Sequence, residues 1–311
     1  MTGLPVRLAA DLEPCPEERR WLIEELWADR AVGILGGEPK LGKSWLALDV
    51  AVSVASGAPC LRRFAVRRPG PVLLYAAEDA LHIVRQRLDA ITAAAGVDLV
   101  GLPLHVITAP SVRLDLEQDR ERLRATVAAI TPRLLVLDPF VRLHRRDENV
   151  AGEVAPLLAY LRQLERELGL AVLLVHHARK GGGARAGQAL RGSSELHAWG
   201  DSNLYLGRRG EAVWLTVEHR AAPSRPRMPV ALGERRGGLS LRVLDEAPPG
   251  SEPDKPSPRQ RVLEALTIEP ATVRELRERC RMQTARLCKI LAELVSEGAA
   301  AKTEAGFRRA A

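Results

Sequence analysis

AVGILGGEPKLGKSWLALDV, residues 31–50, decides how the rest of the chain is read. It opens on an apolar run of strand character, passes through GEPKLGKS at 37–44, and continues into a helix-period stretch over 44–56. The middle fits G-x-x-x-x-G-K-[ST] in full, in the strand-then-helix context that gives the motif its meaning. Backbone N–H groups of such a loop, together with the helix N-terminus, surround phosphates. Gly37 and Gly42 let the backbone approach the ligand. Lys43 is expected to reach the β- and γ-phosphates and the Ser44 hydroxyl to hold Mg²⁺. Gly37, Glu38, Pro39, Lys40, Leu41, Gly42, Lys43, Ser44 and Trp45 are therefore the expected nucleotide contacts, with ATP and Mg²⁺ as the ligands.

Two further apolar runs end in acids. LLVLDP (134–139) ends in Asp138, a carboxylate suited to holding Mg²⁺ opposite the phosphate loop. PVLLYAAED (71–79) ends in Glu78 and Asp79. A carboxylate at that strand tip serves as the base for an attacking water. Glu78 is the first choice, with Asp79 as the alternative base or as the cap of the next helix. AVLLVHHA (171–178) ends in two histidines, whose rings alternate across the strand, so one of them faces the γ-phosphate. No third metal ligand stands at a recognisable spacing from them, which argues against zinc.

Helix-period stretches over 81–95, 116–130 and 154–168 separate these runs, and LHVIT (104–108), SNLYLG (202–207) and VWLTVEH (213–219) add further strands. Strands alternating with helices predict an α/β domain around a mostly parallel sheet, covered on both faces, with antiparallel strands at its end. The expected organisation is a lead-in over 1–30 with a short helix at 17–26, a core over 31–245, and a linker over 246–258 carrying five prolines (EAPPGSEPDKPSP). A small domain over 259–311 follows. It has three amphipathic helices (259–266, 272–279, 284–295) and a possible two-stranded wing over 298–309, the pattern of a winged helix.

The composition narrows the class. With 311 residues, 46% of them hydrophobic, the chain is long and apolar enough for one large domain and one small one, and disorder as its main state is excluded. No apolar run reaches the ~18–20 residues that cross a bilayer. The N-terminal residues carry acids and prolines without an apolar signal core, and the four cysteines lack metal spacing, so a cytoplasmic protein with free thiols is expected. The net charge is +7, and of 46 basic residues six are lysine: Lys40, Lys43, Lys180, Lys255, Lys289 and Lys302. A basic surface favours polyanions without selecting nucleic acid. From Lys255 onward twelve basic residues face seven acids, a local balance of +5.

Taken in order, GEPKLGKS, YAAED, LLVLDP, LLVHHARK and RGSSELHAWGDSNLYL resemble the RepA-like AAA family of the RecA superfamily. Its type members are hexameric replicative DNA helicases of broad-host-range plasmids. The resemblance spans roughly residues 21–220. It implies a RecA-like core that assembles into rings with ATP at subunit interfaces. Lys43 and Ser44 then bind nucleotide and Mg²⁺, Glu78 is the catalytic base, Asp138 the Mg²⁺ acid, and His177 the γ-phosphate sensor, with His176 second. It also implies an arginine finger near the end of the core. Arg220 occupies that place in TVEHRAAP (216–223), although Glu218 stands where the family carries a lysine.

The glycine-rich stretch RKGGGARAGQALRGSS (179–194) carries Arg179, Lys180, Arg185 and Arg191. Cations on a flexible segment suit a loop that grips single-stranded DNA, and a lid over the nucleotide is the other reading. VRLHRRDEN (141–149) is a second candidate loop. In the C-terminal module the third helix presents Gln283, Thr284, Arg286 and Lys289 near its start, where a recognition helix meets DNA, while protein docking is the rival use. The sequence thus predicts a DNA-acting ATPase motor, probed against two rivals: an ATP-dependent DNA-binding regulator that does not unwind, and a small-molecule kinase, for which no acceptor motif stands out.

Overall fold

The computed structural model describes residues 4, 6–13, 16–177, 194–246, 258–267, 269–297, 299–303 and 305–309. The chain divides into two compact units, Met1–Ser251 and Glu252–Ala311.

In the first unit, β1 (Trp21–Ile23) and β2 (Trp27–Ala28) form a small antiparallel hairpin. The core then runs β3 (Val32–Gly37), α1 (Lys43–Ser56), β4 (Val72–Ala76), α2 (Leu81–Ala95), β5 (Leu104–Val106), α3 (Glu117–Ile130), β6 (Leu134–Asp138), α4 (Ala151–Leu168) and β7 (Ala171–His177). It closes with α5 (Ser194–Trp199), β8 (Ser202–Arg209), β9 (Ala212–His219), β10 (Arg225–Arg235) and β11 (Gly238–Val243). The strands make one nine-stranded sheet in the order β11-β10-β9-β8-β3-β7-β6-β4-β5. From β5 to β8 neighbours are parallel, and β9, β10 and β11 are added antiparallel.

The sheet separates two apolar layers. On one face Leu46, Val50 and Val54 of α1 and Leu88 and Ile91 of α2 pack on Leu35, Leu74, Val136 and Leu173. On the other, Leu123 and Val127 of α3 and Leu157, Leu161 and Leu164 of α4 pack on Ile34, Leu73, Leu135 and Leu174. Neighbouring residues of one strand therefore serve opposite layers, which is why β3, β6 and β7 read as unbroken apolar runs. Each such fully buried side chain is worth roughly 1.5–3 kcal/mol.

The lead-in departs from expectation. In place of a helix over 17–26, Glu17–Arg19 is a single 3₁₀ turn, and the residues after it make the β1–β2 hairpin. Leu22, Ile23, Leu26 and Trp27 are all buried in the first layer; their i, i+1, i+4, i+5 spacing suits a helix face as well as this hairpin, and packing against the core selects the hairpin. The sheet also extends further than expected: β10 and β11 continue it beyond residue 219. Pro226 and Pro229 mask β10 in the sequence, and its pairing with β9 shifts register between Arg225 and Met228, a bulge that accommodates the missing donor.

The second unit is α6 (Pro258–Ala265), α7 (Val273–Cys280), α8 (Thr284–Ser296) and the hairpin β12 (Ala300–Thr303) and β13 (Gly306–Arg309). Thr272 and Glu275 form a capping box that starts α7. Val262, Leu266, Leu276, Leu287, Leu291 and Leu294 make its core, and Ala271 bridges to Phe307 of the wing. Three helices and a hairpin around one core is a winged helix.

Candidate functional site

The parallel strands deliver their C-terminal ends to one edge of the sheet. Register sets what meets there: Gly37 is level with His177 on one side and with Leu206 on the other, and Ala76 is level with Asp138. Ligands of open α/β sheets bind at that edge. A cavity of about 610 Å³ occupies it, lined among others by Pro39–Trp45, Glu78, Asp79, Arg87, Asp138 and His177.

The loop holds its shape through two glycines. A Cβ on Gly37 would lie 2.4 Å from the Leu206 carbonyl oxygen, and Gly42, which caps α1, has φ +89°. Any other residue at either place meets backbone or strain. Lys43 opens α1 and is almost fully buried, its Nζ donating to the carbonyls of Gly37 (2.9 Å) and Glu38 (2.8 Å). Burial pulls its ammonium down to about 8, against the opposing fields of Asp138, Glu78 and Glu38.

Asp138 is also buried, and its carboxyl is pushed up to about 6. Desolvation does most of this and the nearby Asp79 and Glu78 add to it, while the Ser44 hydroxyl, donating to Asp138, and Lys43 oppose it. An oxygen pair of Ser44 and Asp138 beside two more acids is short of positive charge. That donor set fits Mg²⁺, which prefers oxygen, takes one or two protein ligands and fills the rest of its shell with phosphate and water. No group of three or more His, Cys, Asp or Glu among the described residues has the arrangement to hold a metal.

Glu78 follows β4 in a short turn. One carboxylate oxygen accepts from Arg142 Nε at 2.8 Å, and the other stands 4.0 Å from His177 Nε2. Asp79, next to it, is paired with Arg87 of α2, whose guanidinium also stacks on Trp45 at 5.9 Å. The two histidines do diverge. His177 lines the cavity and its Nδ1 has no hydrogen-bond partner among the described residues. Burial first, then Lys43, holds its imidazole below the usual value, so it is neutral at pH 7. His176 points into the second layer, near Phe140 and 3.8 Å from Glu148.

Arg220 is not among the cavity-lining residues. It lies just beyond the end of β9 that pairs with Ser202, the far end of the sheet from the phosphate loop. There it donates to the Ala198 carbonyl and meets Asp201 at 3.3 Å, which Arg162 of α4 also holds. Arg179, Lys180, Arg185 and Arg191 lie outside the described residues. Arg286 and Lys289 are exposed on α8, with Gln283 and Thr284 exposed at its start. In VRLHRRDEN the side chains of Arg142, Arg145 and Arg146 are exposed, and His144 is buried against Phe140.

The sequence reading missed the opposite wall of the cavity. Val213 of β9, Val230, Ala231 and Leu232 of β10 and Leu241 of β11 line it, and Leu232 is 45% exposed there. Leu241 reaches over Gly42. Arg87 was missed as well, and Arg142 was read only as part of the candidate loop 141–149, not as the partner of Glu78. None of these carries a local signal, since each is assembled only by the sheet.

Phosphate loop, acid-ended strands and parallel sheet together define a RecA-like P-loop ATPase. A family profile described as an AAA domain matches residues 4–183, more than half of the chain, and the protein belongs to that family. A second profile, described as the DprA winged helix domain, matches residues 246–295. Among solved structures the chain is similar to a KaiC-like protein from the hyperthermophilic archaeon Pyrococcus horikoshii OT3, at 15% identity and a TM-score of 0.48 over 71% of this chain and 93% of that one. No helix among the described residues is long and apolar enough to cross a membrane.

Proposed function

We propose that this chain is an ATP-driven motor that acts on DNA in the manner of RepA-type replicative helicases, assembling as a hexameric ring around a single strand. 

The observation that carries this reading is that one cavity collects Lys43, Ser44, Glu78, Asp138 and His177 from four different strand ends. In the reading, Lys43 leaves the loop carbonyls for the β- and γ-phosphates, and the helix N-terminus of α1 supports them. Mg²⁺, held by Ser44 and Asp138, would neutralise charge on the phosphate oxygens. Glu78 accepts a proton from a water whose oxygen bonds to the γ-phosphorus as the bond to the bridging oxygen of ADP breaks. Neutral His177 donates a hydrogen bond toward the γ-phosphate, and the residues 179–194 that follow it carry the change to the DNA. Arg220 completes the site of the neighbouring subunit, which requires its release from Asp201 on assembly.

The test is the ATP hydrolysis rate with and without single-stranded DNA, together with mass measured with and without ATP. Stimulation by DNA and a ring-sized mass support the motor, and strand displacement on a forked duplex tests unwinding. The match to a DprA winged helix favours a second reading, an ATP-dependent DNA-binding regulator in which nucleotide controls assembly. ATP-dependent DNA binding with no strand displacement would select it. Arg220→Ala subunits mixed with Lys43→Ala subunits supply the two halves of a shared site, and recovered hydrolysis in the mixture is the outcome expected of a finger in trans.

A further inference from the structure

Arg142 belongs to two surfaces at once. It closes the 3₁₀ turn Phe140–Arg142 directly after Asp138 and Pro139, and Phe140 and Leu143 are fully buried, so the backbone that carries it is fixed beside the site. Its Nε donates to Glu78 at 2.8 Å. Its side chain is nevertheless 62% exposed, and it is followed by the exposed Arg145 and Arg146. The guanidinium that engages the candidate base is thus the first of three exposed arginines in one loop.

A carboxylate works as a base only with an oxygen free and aimed at the water. With one oxygen engaged by Arg142 and the other 4.0 Å from His177 Nε2, beyond hydrogen-bond reach, Glu78 is fixed in the orientation that Arg142 sets and is not free to turn toward the water. An exposed ion pair is held weakly, and a phosphate oxyanion is a strong competitor for a guanidinium. We propose that Arg142 is a positioning residue: it restrains Glu78 at rest, and a nucleic-acid phosphate backbone bound along Arg142, Arg145 and Arg146 takes over its guanidinium and releases the carboxylate to the attacking water. The inference rests on Glu78 being the base, as read above, and it names how DNA would regulate that same site.

The experiment is steady-state ATP hydrolysis by the full chain with Mg²⁺, with and without an oligo-dT strand, for wild type, Arg142→Ala and Arg142→Lys. Arg142→Gln is measured alongside in case alanine loosens the turn. The alanine and glutamine variants are expected to raise the DNA-free kcat roughly three- to tenfold with little change in KM for ATP, and to lose most of the stimulation by oligo-dT. Arg142→Lys keeps the charge and should restore part of both the low resting rate and the stimulation. A DNA-free kcat that is unchanged or lower, with stimulation intact, overturns the proposal. So does a wild-type rate that oligo-dT leaves unchanged. Glu78→Gln placed in the Arg142→Ala background separates the two layers. If that double variant still hydrolyses ATP, the base was misassigned. If hydrolysis vanishes there while Arg142→Ala alone does not accelerate, Glu78 stands as the base and the restraint fails.

Discussion

The two walls of the cavity are built in opposite ways. The phosphate wall comes from a continuous motif, Gly37 to Trp45, and from polar groups set at strand ends: Glu78, Asp138 and His177. The facing wall is apolar, made by Val213, Val230, Leu232 and Leu241 from strands that enter the sheet last. The first wall carries buried charge at a cost, with Lys43 pulled down and Asp138 pushed up by burial. The second offers only apolar contact. Chemistry and grip are therefore separable, and variants on the two walls should differ in kind: kcat on one side, KM on the other.

The largest effect is expected at Lys43. Lys43→Ala should leave the fold intact, as judged by circular dichroism, and abolish ATP hydrolysis, a loss of about 10³-fold or more, because the γ-phosphate loses its charge clamp. A near wild-type rate would remove the phosphate wall from the argument.

Next comes Glu78→Gln. Nucleotide should bind with wild-type affinity in a fluorescence titration while turnover drops by about 10²-fold. If Asp79→Asn has that effect instead, the base is the residue that the structure pairs with Arg87.

Asp138 gives a prediction in pH. Its folded carboxyl titrates near 6, above the ordinary 3.8, so the folded state binds this proton more tightly than the unfolded one. The stability this proton contributes is present below the unfolded value and is lost as pH rises through about 6. Two outcomes of opposite sign follow. Asp138→Asn should raise Tm at pH 7, since a buried charge only partly offset by Ser44 and Lys43 is gone, and should at the same time eliminate Mg²⁺-dependent hydrolysis. In the wild type, apparent Mg²⁺ affinity should fall by up to about tenfold per pH unit below that value, as protons compete for the ligand. A lower Tm for Asp138→Asn would show that its bond to Ser44 outweighs the cost of its burial.

The smallest effect tests the apolar wall. Leu232→Ala removes an exposed side chain, so stability should hardly change. KM for ATP should rise a few-fold with kcat unchanged, because trimming partly exposed apolar contact costs about 0.5–1 kcal/mol of uniform binding. A drop in kcat with constant KM would mean that the two walls are not independent.

The same contrast explains what could be read from the sequence. The phosphate loop, the strands that end in Asp138 and His177, and the helices between them are local signals, and the observed β3, β6, β7 and α2 agree closely with the runs that announced them. Length and period also announced the three helices of the C-terminal unit. The lead-in failed because Leu22 and Leu26 satisfy a helical and a hairpin arrangement alike, and only packing against the core chooses. β10 failed because its prolines speak against a strand, while a bulge absorbs Pro226 and Pro229 sits in register opposite Trp214. Leu232, Leu241 and the tie of Arg142 to Glu78 could not be found, since what gives them meaning is a neighbour some 60 to 200 residues away, such as Glu78 for Arg142 (|i−j| = 64).

β3 is made early and completed late. Its partner β7 begins 140 residues further on, with Val32 opposite Val172, and its other partner β8 pairs Leu35 with Leu204, 169 residues away. A ribosome therefore delivers the strand that holds the phosphate loop long before either flank exists. Until β8 emerges, β3 offers an open, wholly apolar edge, and contacts at such separation form slowly. The nascent chain is exposed to misassociation over most of its synthesis, so fragments ending before residue 202 should aggregate, and expression should depend on holding the early chain apart until translation has passed that strand.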